Sequence, residues 1–494
     1  MHSTRIDGVL VLWTEAPPPL EAALVFGCGV RDETFRTLGV THLVEHLAMS
    51  TLPRLHHDHN ACVDLRTTDF LASGRPEQIV VFLEAVCRAL ADLPLDRLER
   101  EAGVLAAEAG EPEHPTTGAL LSRRYGVAGP GLAPWRGPGA DRITPQAVQE
   151  HVRRHFHADN AVLVLSGPPP EGLTLPLPRG DRPRRVSGGP SVLASGPAWS
   201  QECVPAVGLG LHSDRHDDVA LALAVDVLRE RLVRKARHEQ GLSYEVALDC
   251  CRVGGGRSER VLRVDARDGE EQRVAELLWS EAQRLAADGP TAAELAEEVA
   301  AAAEVFSDPR HAVADLLRLA EAELFGESAL DPQEWLRVAE SITPGQARET
   351  FALAMDTALL AVPDGTEPHL ALPGGSPLPA GGCVRSDQLP HGKVFRPSPL
   401  QRLFSAGARR SLLVLGDDAV AMRDPDGDVH AIPFDEIVGV EAHGPGRVLF
   451  GRGGCVIPVL PDLFSKTAPL VRHIDEAVPD ELRYPVSVYW TDDE

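Results

Sequence analysis

His42-Leu43-Val44-Glu45-His46 decides how this chain is read. On a helix the two histidines are four residues apart, so both imidazoles leave one face and can grip a single metal ion. Glu45 lies within one turn of His42, where its carboxylate can reach a water beside that metal. The order H-x-x-E-H inverts the common zinc-protease signature.

A catalytic zinc takes three protein ligands and leaves a fourth position for water, so a third ligand is expected from another segment. Apolar spacing predicts a helix over 77–93 and a second one over 96–109. Glu101 and Glu108 are seven residues apart on the latter, about two turns, so both face one way. Short strands are expected at 8–12 and 21–30, around Pro17-Pro18-Pro19, and at 161–165.

With the motif and Glu101 to Glu108 in place, the sequence resembles the insulinase/pitrilysin family of zinc peptidases. Gly29-Val30-Arg31-Asp32-Glu33 through Gly39-Val40-Thr41 resembles that family's run into the motif. The resemblance spans about residues 5–365. It implies His42, His46 and Glu108 as ligands of one Zn2+ per chain, Glu45 as the general base towards water, and Glu101 as a supporting acid. It also implies that Asn60 and Ala61 lie on an active-site strand whose edge binds extended substrate backbone. Arg237-His238-Glu239-Gln240-Gly241-Leu242-Ser243-Tyr244 resembles the family's Arg and Tyr element, in which Arg237 and Tyr244 stabilise the oxyanion. One departure stands out. From His46 to Glu108 is 108 − 46 = 62 residues, shorter than the family spacing by roughly a helix, and the loss falls between Met49 and Asn60. A shorter wall there is expected to open the cleft or change which substrates fit.

The pattern repeats weakly. Gly27-Cys28-Gly29-Val30 is echoed by Gly208-Leu209-Gly210-Leu211, an offset of 208 − 27 = 181. Arg142-Ile143-Thr144-Pro145 is echoed by Ser341-Ile342-Thr343-Pro344, an offset of 342 − 143 = 199. One fold used twice is the expectation. The second copy carries no H-x-x-E-H. The fold class expected is therefore α+β, with two homologous insulinase/pitrilysin-type α/β sandwich domains and a small, mostly-β C-terminal domain. The expected bounds are 1–190 for the zinc-bearing domain, 200–363 for its sister and 409–494 for the last. Proline-rich stretches at about 168–200 and 364–408 read as linkers. Short strands from Leu412 to Leu460, then a helix from about 462 to 478, resemble a pleckstrin-homology-like module. Arg410, Arg423, Arg447 and Arg452 are interspersed with acids, so protein docking rather than lipid binding is expected of it.

Composition narrows the partners. Lys+Arg is 48 and Asp+Glu 73, a net charge of −25, which opposes nucleic acid and anionic membrane as bulk partners. No apolar run is long enough for a bilayer span, and Met1 to Arg5 precedes no secretory pattern, so a cytoplasmic protein with reduced thiols is expected. The resemblance implies a peptide or protein substrate, and pairing of the chain as a homodimer or with a related subunit. His56, His57 and His59 read as a solvated loop, Glu111 and Glu113 as surface charge, and Gly254-Gly255-Gly256 as a hairpin turn. The function expected is a zinc metalloendopeptidase. The alternatives are a non-catalytic peptide-binding or scaffold subunit, or the zinc-bearing half of a heterodimer.

Overall fold

The computed structural model describes residues 1–108, 114–183, 192–381, 388–404, 408–425 and 427–486. Glu111, Glu113, Pro190 and Asp426 lie outside them. The chain is a mixed α+β protein with several sheets.

The first half runs β1 (His2–Ile6), β2 (Val9–Trp13), β3 (Leu20–Phe26), α1 (Val40–Met49), β4 (Asp58–Val63), β5 (Thr68–Gly74), α2 (Pro76–Ala91), α3 (Leu98–Ala107), α4 (Pro115–Tyr125), α5 (Pro145–His155) and β6 (Ala161–Leu165). Its strands form one sheet in the order β1-β2-β6-β3-β5-β4. The second half runs β7 (Ala198–Glu202), β8 (Ala206–Ser213), α6 (Val219–Leu232), β9 (Val246–Gly254), β10 (Arg257–Asp265), α7 (Glu271–Asp288), α8 (Ala292–Ser307), α9 (Ala312–Phe325), α10 (Pro332–Ser341), α11 (Pro344–Met355) and β11 (Leu359–Pro363). Its sheet has the order β7-β11-β8-β10-β9.

The two sheets follow one plan. β6 pairs parallel to β2 and antiparallel to β3; β11 pairs parallel to β7 and antiparallel to β8. Thr144 and Thr343, from the second echoed tetrapeptide, each cap the helix that feeds the central strand, accepting from the N–H of Ala147 and Gln346. The first echo is out of step. Gly27 to Val30 lies beyond the end of β3, while Gly208 to Leu211 lies inside β8.

Each sheet is covered on one face by helices of its own half and on the other by a helix from the opposite half. α1, α2 and α5 bury the first core around Leu24, Phe26 and Phe70. Across the sheet, Val25, Val162 and Val164 pack on Leu316, Ala320 and Leu324 of α9. Reciprocally, α6, α7 and α11 cover one face of the second sheet, and Leu120 of α4 packs on Val261, Leu359 and Ala361. The all-apolar reading of β6 follows: Ala161 to Leu165 is buried on both faces.

The expected linkers are pinned to the cores. Leu173, Leu175 and Leu177 are buried in the first, and the Leu175 N–H donates to Asp7 Oδ2 at 2.8 Å. Leu370 and Leu378 are buried in the second, and Trp279 Nε1 donates to the Ala371 carbonyl. Their prolines suit an extended strap whose alternate residues reach the core. β12 (Lys393–Phe395), inside the second of these stretches, pairs with β13 (Leu412–Leu415).

After α12 (Pro399–Phe404) and β13 come β14 (Ala419–Arg423), β15 (Val429–Pro433), β16 (Ile437–His443), β17 (Gly446–Gly451), β18 (Val456–Val459), α13 (Ala468–Ala477) and β19 (Arg483–Pro485). They form two four-stranded sheets, β12-β13-β14-β15 and β18-β17-β16-β19. α13 does not close the region, because β19 returns to pair parallel with β16. Among the described residues no helix is long and apolar enough to cross a membrane, and no disulfide joins the described cysteines.

Candidate metal centre

α1 begins at Gly39, whose φ of 91° is left-handed and suits glycine. Gly39 has no side chain to cap the helix, and Glu33 does it instead. Its Oε2 accepts from the N–H of Gly39 at 2.7 Å and its Oε1 from that of Thr41 at 2.8 Å. Glu33 is buried, and burial pushes its pKa up to about 7 against these two hydrogen bonds. At the other end Arg97 donates to the Ser50 carbonyl. Glu33→Ala, which orphans two N–H groups, is expected to cost about 1–3 kcal/mol in denaturant unfolding; an unchanged midpoint would show that the helix start needs no cap.

The loop before α1 is gripped by the C-terminal sheets. Phe35 packs among Leu132, Trp135, Phe450 and Tyr484, with ring centroids 5.0 Å apart to Phe450 and 6.0 Å to Trp135. A side chain at position 439 would collide with the Phe35 ring, so this close approach needs Gly439. The N–H of Val127 donates to the Arg452 carbonyl at 2.8 Å.

Val40, Leu43, Val44, Leu47 and Ala48 of α1 enter the first core, leaving His42, Glu45 and His46 on the other stripe. The two imidazole centroids are 4.8 Å apart. Glu108 Oε2 lies 3.6 Å from His42 Nε2 and 3.4 Å from His46 Nε2. Zinc bonds of about 2.0–2.2 Å at the tetrahedral angle require neighbouring donors roughly 3.3–3.6 Å apart. The three donor atoms all lie within 4.8 Å of one another, so the set fits one small metal ion. Burial, then the neighbouring His46, pushes His42 down to about 4, keeping its ring neutral and able to ligate.

Glu45 Oε2 lies 3.5 Å from His42 Nε2 and 3.9 Å from His46 Nε2. Burial, then the Glu108 charge, pushes its carboxyl up to about 7. Glu101 is buried behind His46, its Oε2 3.8 Å from Nδ1, too far for a hydrogen bond, while its Oε1 accepts from Arg100 Nε at 3.1 Å. Glu108 is not on the helix expected for it. α3 ends at Ala107, and Glu108 is its extended C-cap (φ −80°, ψ 112°), half-exposed, its N–H still bonded to the last turn. Sequence spacing placed its side chain near the right donors; the ending of the helix was not visible in it.

Asn60 and Ala61 lie on β4, the edge strand of the first sheet, opposite Leu71 and Phe70 of β5. The other edge of β4 is unpaired within the described residues. β4 also absorbs His59, which the loop expectation had missed. Past Cys62 and Val63, a cavity of about 690 Å3 opens between Asp64 to Thr67, Leu248 to Arg252 of β9, and Arg318 and Glu321 of α9. Gly254 to Gly256 form the β9–β10 turn, as expected.

Arg237 sits in a π-helical stretch, Val233–Glu239, after α6, its guanidinium 5.2 Å from the Tyr244 ring centroid. Tyr244 is 77% exposed. Among the described residues no hydrogen bond, ion pair or ring contact joins either to His42, His46 or Glu108. Sequence reasoning missed Glu33 and Arg97 as the groups that hold α1. Glu33 stands in the motif's approach run, and the signal available was one acid just ahead of a glycine-started helix.

No family model matches the chain, and no curated protein does. Solved structures match its fold. A peptidase M16 inactive domain from Pseudomonas fluorescens aligns at a TM-score of 0.59 and 16% identity, over 74% of this chain and 99% of that one. The periplasmic protease PqqL from Escherichia coli aligns at 0.57 and 15%, over 87% of this chain and 55% of that one. Pitrilysin aligns at 0.54 and 15%, over 75% and 45%. At such identities the likeness is one of architecture, and the structural neighbours of this chain are M16 peptidase family members.

Proposed function

We propose that the chain is a zinc-dependent metalloendopeptidase that hydrolyses peptides or unfolded polypeptide segments. One observation carries this: His42 Nε2, His46 Nε2 and Glu108 Oε2 converge at zinc-ligand spacing with the Glu45 carboxylate beside them. One zinc ion per chain, when bound, supplies Lewis acidity that polarises the scissile carbonyl and acidifies a water. Glu45 takes the proton from that water and delivers it to the leaving amine. Glu101 is the supporting acid, its carboxylate 3.8 Å from His46 Nδ1. The β4 edge at Asn60 and Ala61 receives the substrate backbone as an added strand.

The oxyanion half of the proposal is intermolecular. Exposed Arg237 and Tyr244 would face the zinc cluster of a partner chain, a second copy or a related subunit, and stabilise the charge that develops on the carbonyl oxygen. Light scattering is expected to show a dimer; a strictly monomeric active enzyme would remove catalysis in trans. We assign 1–190 and 200–363 as homologous domains, 364–408 as a connection whose β12 lends a strand to the next unit, and 409–494 as a pleckstrin-homology-like docking module, and place the protein in the cytoplasm.

The second reading is a non-catalytic peptide-binding or scaffold subunit, favoured by the likeness to an inactive M16 domain. The test is metal analysis of purified protein against Glu108→Ala. The peptidase reading expects the variant to hold about one zinc per chain fewer than wild type. Equal zinc in the two proteins after supplementation supports the scaffold. Zinc with cleavage only when a related subunit is added supports the zinc-bearing half of a heterodimer.

A further inference from the structure

A second cluster of ligating groups lies behind α1. Its members are Cys28, just past the end of β3, and His151 and His155 of α5. The two histidines repeat the geometry of the first pair: four residues apart on one helix, with ring centroids 4.8 Å apart. Cys28 Sγ lies 3.4 Å from His151 Nε2. One donor atom from each of the three residues falls within 4.8 Å of the others. Bonds of about 2.3 Å to sulfur and 2.0 Å to nitrogen at the tetrahedral angle would hold those donors roughly 3.5 Å apart.

We propose that Cys28, His151 and His155 form a second metal site, distinct from the His42/His46/Glu108 cluster, that takes a borderline-soft divalent ion such as zinc. The chemistry of the donors selects that class, since one thiolate and two imidazoles match zinc or cobalt and not calcium or magnesium. Cys28 and His155 are buried while His151 is half-buried, which gives enclosure and a way in from solvent. The Cys28 backbone is fixed, its carbonyl accepting from Thr68 Oγ1 at 2.8 Å. Binding takes both imidazoles in their neutral form and displaces the Cys28 thiol proton. Thr41 Oγ1, 3.0 Å from His151 Nε2, places the site one residue from His42.

The thiolate makes the site separately visible, because the first cluster contains no sulfur. The full-length His42→Ala/His46→Ala variant, stripped of metal and titrated with Co2+, is expected to develop a near-ultraviolet sulfur-to-cobalt charge-transfer band that saturates at about one ion per chain. Cys28→Ser and His151→Gln, each added to that background, are expected to abolish it; the second variant covers misfolding of the first, with circular dichroism as the control. No band in the parent would mean that Cys28 and His151 share only a thiol–imidazole hydrogen bond. A band that survives Cys28→Ser would place the sulfur ligand elsewhere. Either result overturns the site and leaves the first cluster untouched.

Discussion

Glu45→Gln is expected to keep its zinc and lose about 10²–10⁴-fold in kcat on a cleavable peptide, with KM little changed. Gln has the shape of Glu, so α1 keeps its packing and His42, His46 and Glu108 keep their spacing. What goes is the carboxylate that lies 3.5 Å and 3.9 Å from the two Nε2 atoms without being among the three converging donors. The three converging donors are untouched by this change, so zinc content separates a lost base from a lost metal. Full activity with zinc retained would sink the assignment of Glu45. Loss of activity together with zinc would make Glu45 a structural member of the cluster.

The H-x-x-E-H pentapeptide was legible because its chemistry and its helical period coincide in five residues. The stripe that carries His42, Glu45 and His46 leaves Leu43, Val44 and Leu47 for the core. Glu108 was legible by spacing but not by conformation. Helix propensity runs on through Ala106 and Ala107, and the stop signals in the sequence, Gly110 and Pro112, fall two and four residues past Glu108, where the chain already turns extended. The straps were hidden by composition. Prolines suggested free linkers, whereas Leu173, Leu175 and Leu177 at alternate positions are the apolar signal of an extended segment pinned to a core. Least legible was the exchange of α4 and α9 between sheets. A helix's apolar stripe says that it is buried, not which of two sheets of one plan will bury it.

That exchange fixes where the largest loss of stability is expected, at Arg124. It belongs by sequence to the first half, yet it is 1% exposed against the second sheet. Its Nε donates to Glu259 Oε2 of β10 at 3.0 Å, and its two terminal nitrogens donate to the carbonyls of Ala194 at 3.0 Å and Thr357 at 2.7 Å. Glu259 Oε1 also accepts from Tyr125 OH at 2.7 Å and lies 2.7 Å from His212 Nδ1, so the carboxylate is surrounded by donors in a dry setting. Replacing Arg124 by Ala leaves a buried acid without its cation and two carbonyls without donors. The expected cost is about 3–5 kcal/mol, read as a lowered urea midpoint. Adding Glu259→Gln should return part of that loss, because the orphaned charge disappears with it; the coupling between the two sites is the signature of the pair. A shift below about 1 kcal/mol for Arg124→Ala would place this ion pair among weakly contributing ones. The halves would then be held by the apolar contacts of α4 and α9 alone, and the pin would be dispensable to the architecture that carries the metal helix.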